Sequence, residues 1–121
     1  MEKDRVRLFV YGTLKRGFVR ADLMAGATFE RCATTQCGYA LHDLGAYPAL
    51  VTATEGTVIG EVYWVDAEHL DALDRYEGCP ELYQRESIVL EDGSRAEAYS
   101  MTAARVRGCP RIEGGDFQSR G

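Results

Sequence analysis

TVIGEVYWVDAEHLDALDRYEGCP, residues 57–80, holds a strand, a helix and a helix stop in one run. Val58, Gly60, Val62 and Trp64 alternate with Ile59, Glu61, Tyr63 and Val65, the period-two pattern of a strand over 57–65. Asp66 is a good N-cap, because its carboxylate can accept from the free N–H groups of a first helical turn. The helix then spans 67–77 and ends at Gly78, with Pro80 just beyond.

Working outward, VRLFVY at 6–11 reads as a first strand, closed by Gly12. Residues 85–90 and 95–101 form two strands about Asp92-Gly93, a hairpin signal. Shorter strands are expected within 31–41 and at 49–52, a short helix near 20–26, and coil from Gly108 onward. Strands dominate and two helices accompany them, which gives a small α+β domain with a curled sheet.

The 121 residues support a single domain over 1–121, without internal repeat, linker or low-complexity segment. With 14 basic and 19 acidic side chains the formal net charge is −5, so the basic stripe that a nucleic-acid binder needs is missing. No run approaches the roughly 20 apolar residues of a membrane span. The apolar run from Leu8 to Tyr11 is too short for a signal-peptide core, so a cytoplasmic protein is expected. In that compartment Cys32, Cys37, Cys79 and Cys109 are expected as reduced thiols, and their spacing with His42 and His69 fits no zinc pattern. No metal and no cofactor is expected.

One side chain of the helix breaks its pattern. At about 100° per residue from Leu70, Leu73 falls at roughly 300° and Glu77 at roughly 340°, so Glu77 points where the leucines point. A carboxylate there is partly desolvated and sits at the negative end of the helix dipole, and both effects raise its pKa toward that of a neutral-pH acid/base. Two other arrangements relieve the conflict: the last turn unwinds and frees Glu77, or a cation such as Arg85 pairs with it. The loop Tyr11-Gly12-Thr13-Leu14, followed by Lys15-Arg16-Gly17, has the composition of a backbone anion cradle, with a plain glycine turn as the alternative. It is not a nucleotide loop, because Phe18 and Val19 stand where that motif needs Lys and Ser or Thr.

YGTLKRG at 11–17 together with LDRYEGCPELYQR at 73–85 resembles the γ-glutamyl cyclotransferase-like family, on its γ-glutamylamine cyclotransferase and butirosin-biosynthesis-like branch. GAYPALV at 45–51, VIGEVYWVD at 58–66 and RIEGGDF at 111–117 extend the likeness over almost the whole chain. The resemblance implies a small mixed β-barrel with a ligand cavity at one end. It implies a cofactor-independent cyclisation of a small-molecule γ-glutamyl substrate to 5-oxoproline, with release of the amine. It also implies roles: Tyr11, Gly12, Thr13 and Leu14 hold the γ-glutamyl group, Glu77 is the acid/base, and Tyr83 and Tyr99 are pocket walls. The family's tail carries a tryptophan after its Gly-Asp pair, where this chain has Phe117. Three alternatives remain: a binding module of the same fold for a γ-glutamyl group or small anion, a cysteine enzyme built on Cys79, and a structural domain. The sequence sets neither the leaving amine nor an oligomeric state.

Overall fold

A computed structural model describes residues 5–118. Of the domain expected over 1–121, residues 1–4 and 119–121 lie outside that span. Seven strands form one mixed sheet: β1 (Arg5–Val10), β2 (Thr28–Thr34), β3 (Tyr39–Asp43), β4 (Pro48–Thr52), β5 (Ile59–Asp66), β6 (Gln84–Val89) and β7 (Arg95–Ser100). The order is β2-β5-β1-β7-β4-β3, and β6 pairs with β7. The helix α1 (Ala67–Tyr76) follows β5 directly, and the Asp66 side chain accepts from the His69 N–H at 2.8 Å as its N-cap.

Three expectations change. The segment expected as one strand within 31–41 is two, separated by Gln36-Cys37-Gly38, where Gly38 takes φ +125°. The helix expected over 20–26 is a single 3-10 turn at Ala21–Met24, because its apolar residues are too few to hold a longer amphipathic face. The barrel does not close. β2 and β6 meet only at the isolated bridge Thr35↔Leu90, flanked by Gln36 N–H to Val89 O and Glu91 N–H to Thr34 O, both 2.9 Å. The sheet is curled but open. The tail is coil as expected, apart from a 3-10 turn at Glu113–Gly115 and a bridge from Arg111 to His42.

The central strands bury both faces. Leu8 and Val10 of β1 join Leu70 and Leu73 of α1 in one core cluster, while Phe9 joins Leu50, Val62, Ile88 and Phe117 in another. A central strand covered on both sides has no solvent face to alternate toward, which is why VRLFVY reads as a nearly continuous apolar run.

The placement of β7 creates the site. One edge of β7 is filled along its length by β6. Its other edge meets β1 at Leu8↔Glu97 and β4 at Leu50↔Ser100, so β1 and β4 diverge from a shared neighbour. The Tyr11 hydroxyl fills the fork, donating to Tyr99 O at 2.6 Å and accepting from the Leu50 N–H at 3.1 Å.

Candidate active site

A cavity of about 370 Å³ opens where the sheet forks, between the 11–14 loop, the start of β4, the end of α1, Tyr83 just ahead of β6 and Tyr99 of β7. All seven side chains or loop residues singled out from the sequence line it: Tyr11, Gly12, Thr13, Leu14, Glu77, Tyr83 and Tyr99. Residues 11 and 99 are brought together by the parallel β1–β7 contact, and Glu77 arrives from the helix between them in sequence.

Glu77 is the C-cap of α1, still in helical geometry at φ −79° and ψ −3°. Its position is held by a Schellman motif. The Cys79 N–H donates to Asp74 O at 2.9 Å, the Gly78 N–H to Arg75 O at 3.2 Å, and Gly78 takes the left-handed φ of +68°. The turn does not unwind, so the carboxylate stays on the inward face. Burial pushes Glu77 up to about 7 from the ordinary carboxylate value of 4.5. Among the described residues no hydrogen bond or ion pair holds its carboxylate. Arg85 pairs instead with Asp74, through Nε at 2.9 Å and a terminal nitrogen at 3.1 Å, and with Glu97 at 2.8 Å.

The three tyrosines are walls whose hydroxyls are already engaged. Tyr83 donates to Pro48 O at 2.7 Å and Tyr99 to Asp74 Oδ1 at 2.6 Å, while Tyr11 closes the fork. Burial raises all three well above the usual phenol range, and the nearby Glu77 carboxylate raises them further. None can act as a base near neutral pH.

The 11–14 loop offers backbone donors. The N–H groups of Gly12, Thr13 and Leu14 have no backbone acceptor among the described residues, whereas the carbonyls of Gly12 and Thr13 accept from Lys15 and Arg20 at 3.0 and 2.9 Å. The loop's outer end is fixed by the buried Glu61, which accepts from the Arg16 N–H at 3.0 Å and from the Tyr63 hydroxyl at 3.0 Å. Gly12 itself is required by packing: a Cβ there would lie 2.8 Å from Pro48 Cγ and 2.9 Å from Cδ. The basic residues behind the loop divide. Lys15 is buried against Asp116 Oδ1 and Phe117 O, both 3.0 Å, and Arg16 reaches Glu61 and stacks on Phe29. Of the three, only Arg20 lines the cavity.

Two contributors to the site carried no sequence signal of their role. Glu61 sits in β5 among alternating apolar residues as the buried anchor of the loop. Tyr47-Pro48 forms the cavity wall beside Gly12 and Tyr83; it lies inside GAYPALV, but nothing in that run predicts contact with residue 12.

A family model described as "Gamma-glutamyl cyclotransferase, AIG2-like" matches residues 8–119. The chain belongs to this family. A putative gamma-glutamylcyclotransferase of Vibrio cholerae is 42% identical over 81 residues, covering 67% of this chain and 70% of that one. A putative gamma-glutamylcyclotransferase of Methanocaldococcus jannaschii is 31% identical over 115 residues, covering 92% and 94%. Gamma-glutamylaminecyclotransferase A of Danio rerio is 37% identical over 107 residues, covering 78% of this chain and 66% of the longer fish protein. Among solved structures, an AIG2-like protein from Mus musculus superposes with a TM-score of 0.82 at 29% identity, over 97% of this chain and 90% of the mouse chain. For the γ-glutamyl cyclotransferase fold of this chain, the open sheet and its forked cavity are thus the structural frame. Among the described residues no group of three or more His, Cys, Asp or Glu is placed to hold a metal, the four cysteines are free thiols, and no helix is long and apolar enough to cross a membrane.

Proposed function

We propose that the protein cyclises the γ-glutamyl group of a γ-glutamyl amine or amino acid, releasing 5-oxoproline and the free amine, with Glu77 as general acid/base. The observation that carries this reading is a carboxylate, raised to about 7 and unpaired among the described residues, on the wall of a cavity that also presents loop amides with no acceptor among those residues.

The substrate's α-nitrogen attacks its own side-chain amide carbon. That forms the ring C–N bond, and the tetrahedral intermediate collapses by breaking the bond to the leaving amine. Nucleophile and target share one molecule, so the enzyme gains most by holding the curled conformer, which can supply several kcal/mol of the barrier. The amides of Gly12, Thr13 and Leu14 would hold the α-carboxylate and so direct the amine. The α-ammonium must lose a proton before it attacks. Glu77 takes that proton and passes it to the departing nitrogen; the ring nitrogen sheds a second proton as it becomes the lactam amide, and the released amine carries that proton away as an ammonium, so no net proton is gained or lost. A base at about 7 is far better matched to an ammonium than one at 4.5, and still ionises at cellular pH. With the hydroxyls of Tyr11, Tyr83 and Tyr99 engaged, the oxyanion falls to backbone N–H groups. No external nucleophile and no cofactor enters the scheme.

Glu77→Gln keeps size and shape and removes the titrating group. Turnover, read as 5-oxoproline by mass, should fall by at least about two orders of magnitude with 5-oxoproline binding retained. Near-normal release by this variant overturns the mechanism. Binding of γ-glutamyl compounds by the wild-type protein without any turnover would favour the binding module.

A further inference from the structure

Resting on the cyclisation reading, we infer that the leaving amine is an amino acid with an apolar side chain, its carboxylate read by Arg20 at the cavity mouth. The cavity has a gradient of exposure. Its inner wall is buried: Tyr11, Leu14, Tyr83 and Tyr99 are all at or below 6% exposed. Its rim is open and apolar: Val19 is 72% exposed, Tyr76 48% and Leu82 36%. Those are three of the five large apolar side chains exposed among the described residues, and all three line this one opening. The glutamyl half must reach Glu77 and the loop amides on the inside, so the amine half lies against the rim.

The rim's charge selects further. Only Arg20 and Glu77 among the lining residues are charged, and Glu77 is committed to proton transfer. Arg20 makes no side-chain hydrogen bond or ion pair among the described residues, unlike Arg16 and Lys15 close by in the chain. Its backbone N–H donates to Thr13 O at 2.9 Å, which ties its position to the loop. An amine half carrying an ammonium would meet a cation and no counter-charge at the rim. One carrying a carboxylate beside an apolar side chain is matched in both respects.

The test uses the full chain and three substrates: γ-glutamyl-leucine, γ-glutamyl-isopentylamine, which is the same molecule without the carboxylate, and γ-glutamyl-putrescine. γ-Glutamyl-leucine should have the highest kcat/KM and γ-glutamyl-putrescine the lowest. Arg20→Gln keeps the backbone bond to Thr13. It should raise KM for γ-glutamyl-leucine roughly five- to tenfold at little cost in kcat. The same variant should leave γ-glutamyl-isopentylamine and 5-oxoproline affinity by calorimetry unchanged, and Arg20→Lys should recover part of the loss. Equal weakening of all three substrates and of 5-oxoproline would assign Arg20 to the glutamyl half and overturn the inference. So would a preference for the putrescine conjugate, either result leaving the cyclisation standing. No 5-oxoproline from any of the three overturns both.

Discussion

Glu77 combines two properties that pull against each other, and its titration measures the conflict. Burial holds it at about 7 in the fold, against 4.5 when exposed. Between those values the native state binds the proton more tightly than the unfolded chain, so stability falls as pH rises through that window. Above pH 7 the buried charge costs on the order of 1–3 kcal/mol, allowing for water in the cavity. Glu77→Gln should therefore melt several degrees higher than the wild type at pH 8 and about equally at pH 4.5. Calorimetric melts across that range check the sign; a variant equally or less stable at pH 8 would mean that the carboxylate is solvated. The same titration predicts an acid limb near pH 7 in the kcat/KM profile. Periodicity alone points Glu77 inward, since helix geometry is local. The partner of Arg85 was not legible in the same way. The sequence places Asp74 and Glu77 on one short helical stretch, and the fold gives Arg85 to Asp74, whose Oδ1 also accepts from the Tyr99 hydroxyl at 2.6 Å.

At the scale of the element, the end of α1 positions the carboxylate. Gly78 at φ +68° lets the Schellman turn close, and a Cβ there would also come within 3.1 Å of Leu82 Cβ. Gly78→Ala should cost about 1–2 kcal/mol through left-handed strain. It should lower kcat by more than that stability loss explains, because Glu77 is the adjacent cap residue. Chemical denaturation beside steady-state kinetics separates the two effects, and an unchanged kcat in a destabilised variant would show that the cap does not set the carboxylate's position. Local signals served the elements well here: Asp66, Gly78 and the Asp92-Gly93 turn fall where their chemistry puts them. They served badly where tertiary contacts set the boundary. Gln36-Cys37-Gly38 breaks the strand expected within 31–41 because Gln36 bonds to Val89 and Gly38 to Gly56, partners distant in sequence. The fork filled by Tyr11 depends likewise on residues 39 and 88 positions away, which no local pattern encodes.

Across the whole molecule, the tail locks the 11–14 loop from behind. Phe117 is buried at 3% exposure beside Phe18, with ring centroids 5.9 Å apart. Its carbonyl and the Asp116 carboxylate together hold the Lys15 ammonium, which is 7% exposed and directly follows the 11–14 loop. Removing residues 116–121 would strip an apolar ring from the core and leave a buried cation without either partner. The ring alone is worth about 1.5–3 kcal/mol. An uncompensated buried charge costs about 3–5 kcal/mol when its partner is removed, less here because the truncation also lets water reach it. The truncated chain should lose about 3–5 kcal/mol by urea denaturation. Lys15→Met in the truncated background should restore part of that loss, since the methionine keeps the apolar stem and deletes the stranded charge, whereas in the full chain it should destabilise by removing the cation that donates to both the Asp116 carboxylate and the Phe117 carbonyl. Opposite signs in the two backgrounds are the expected outcome. Equal effects in both would mean that Lys15 and the tail act independently, and that the loop holds its shape through Glu61 alone.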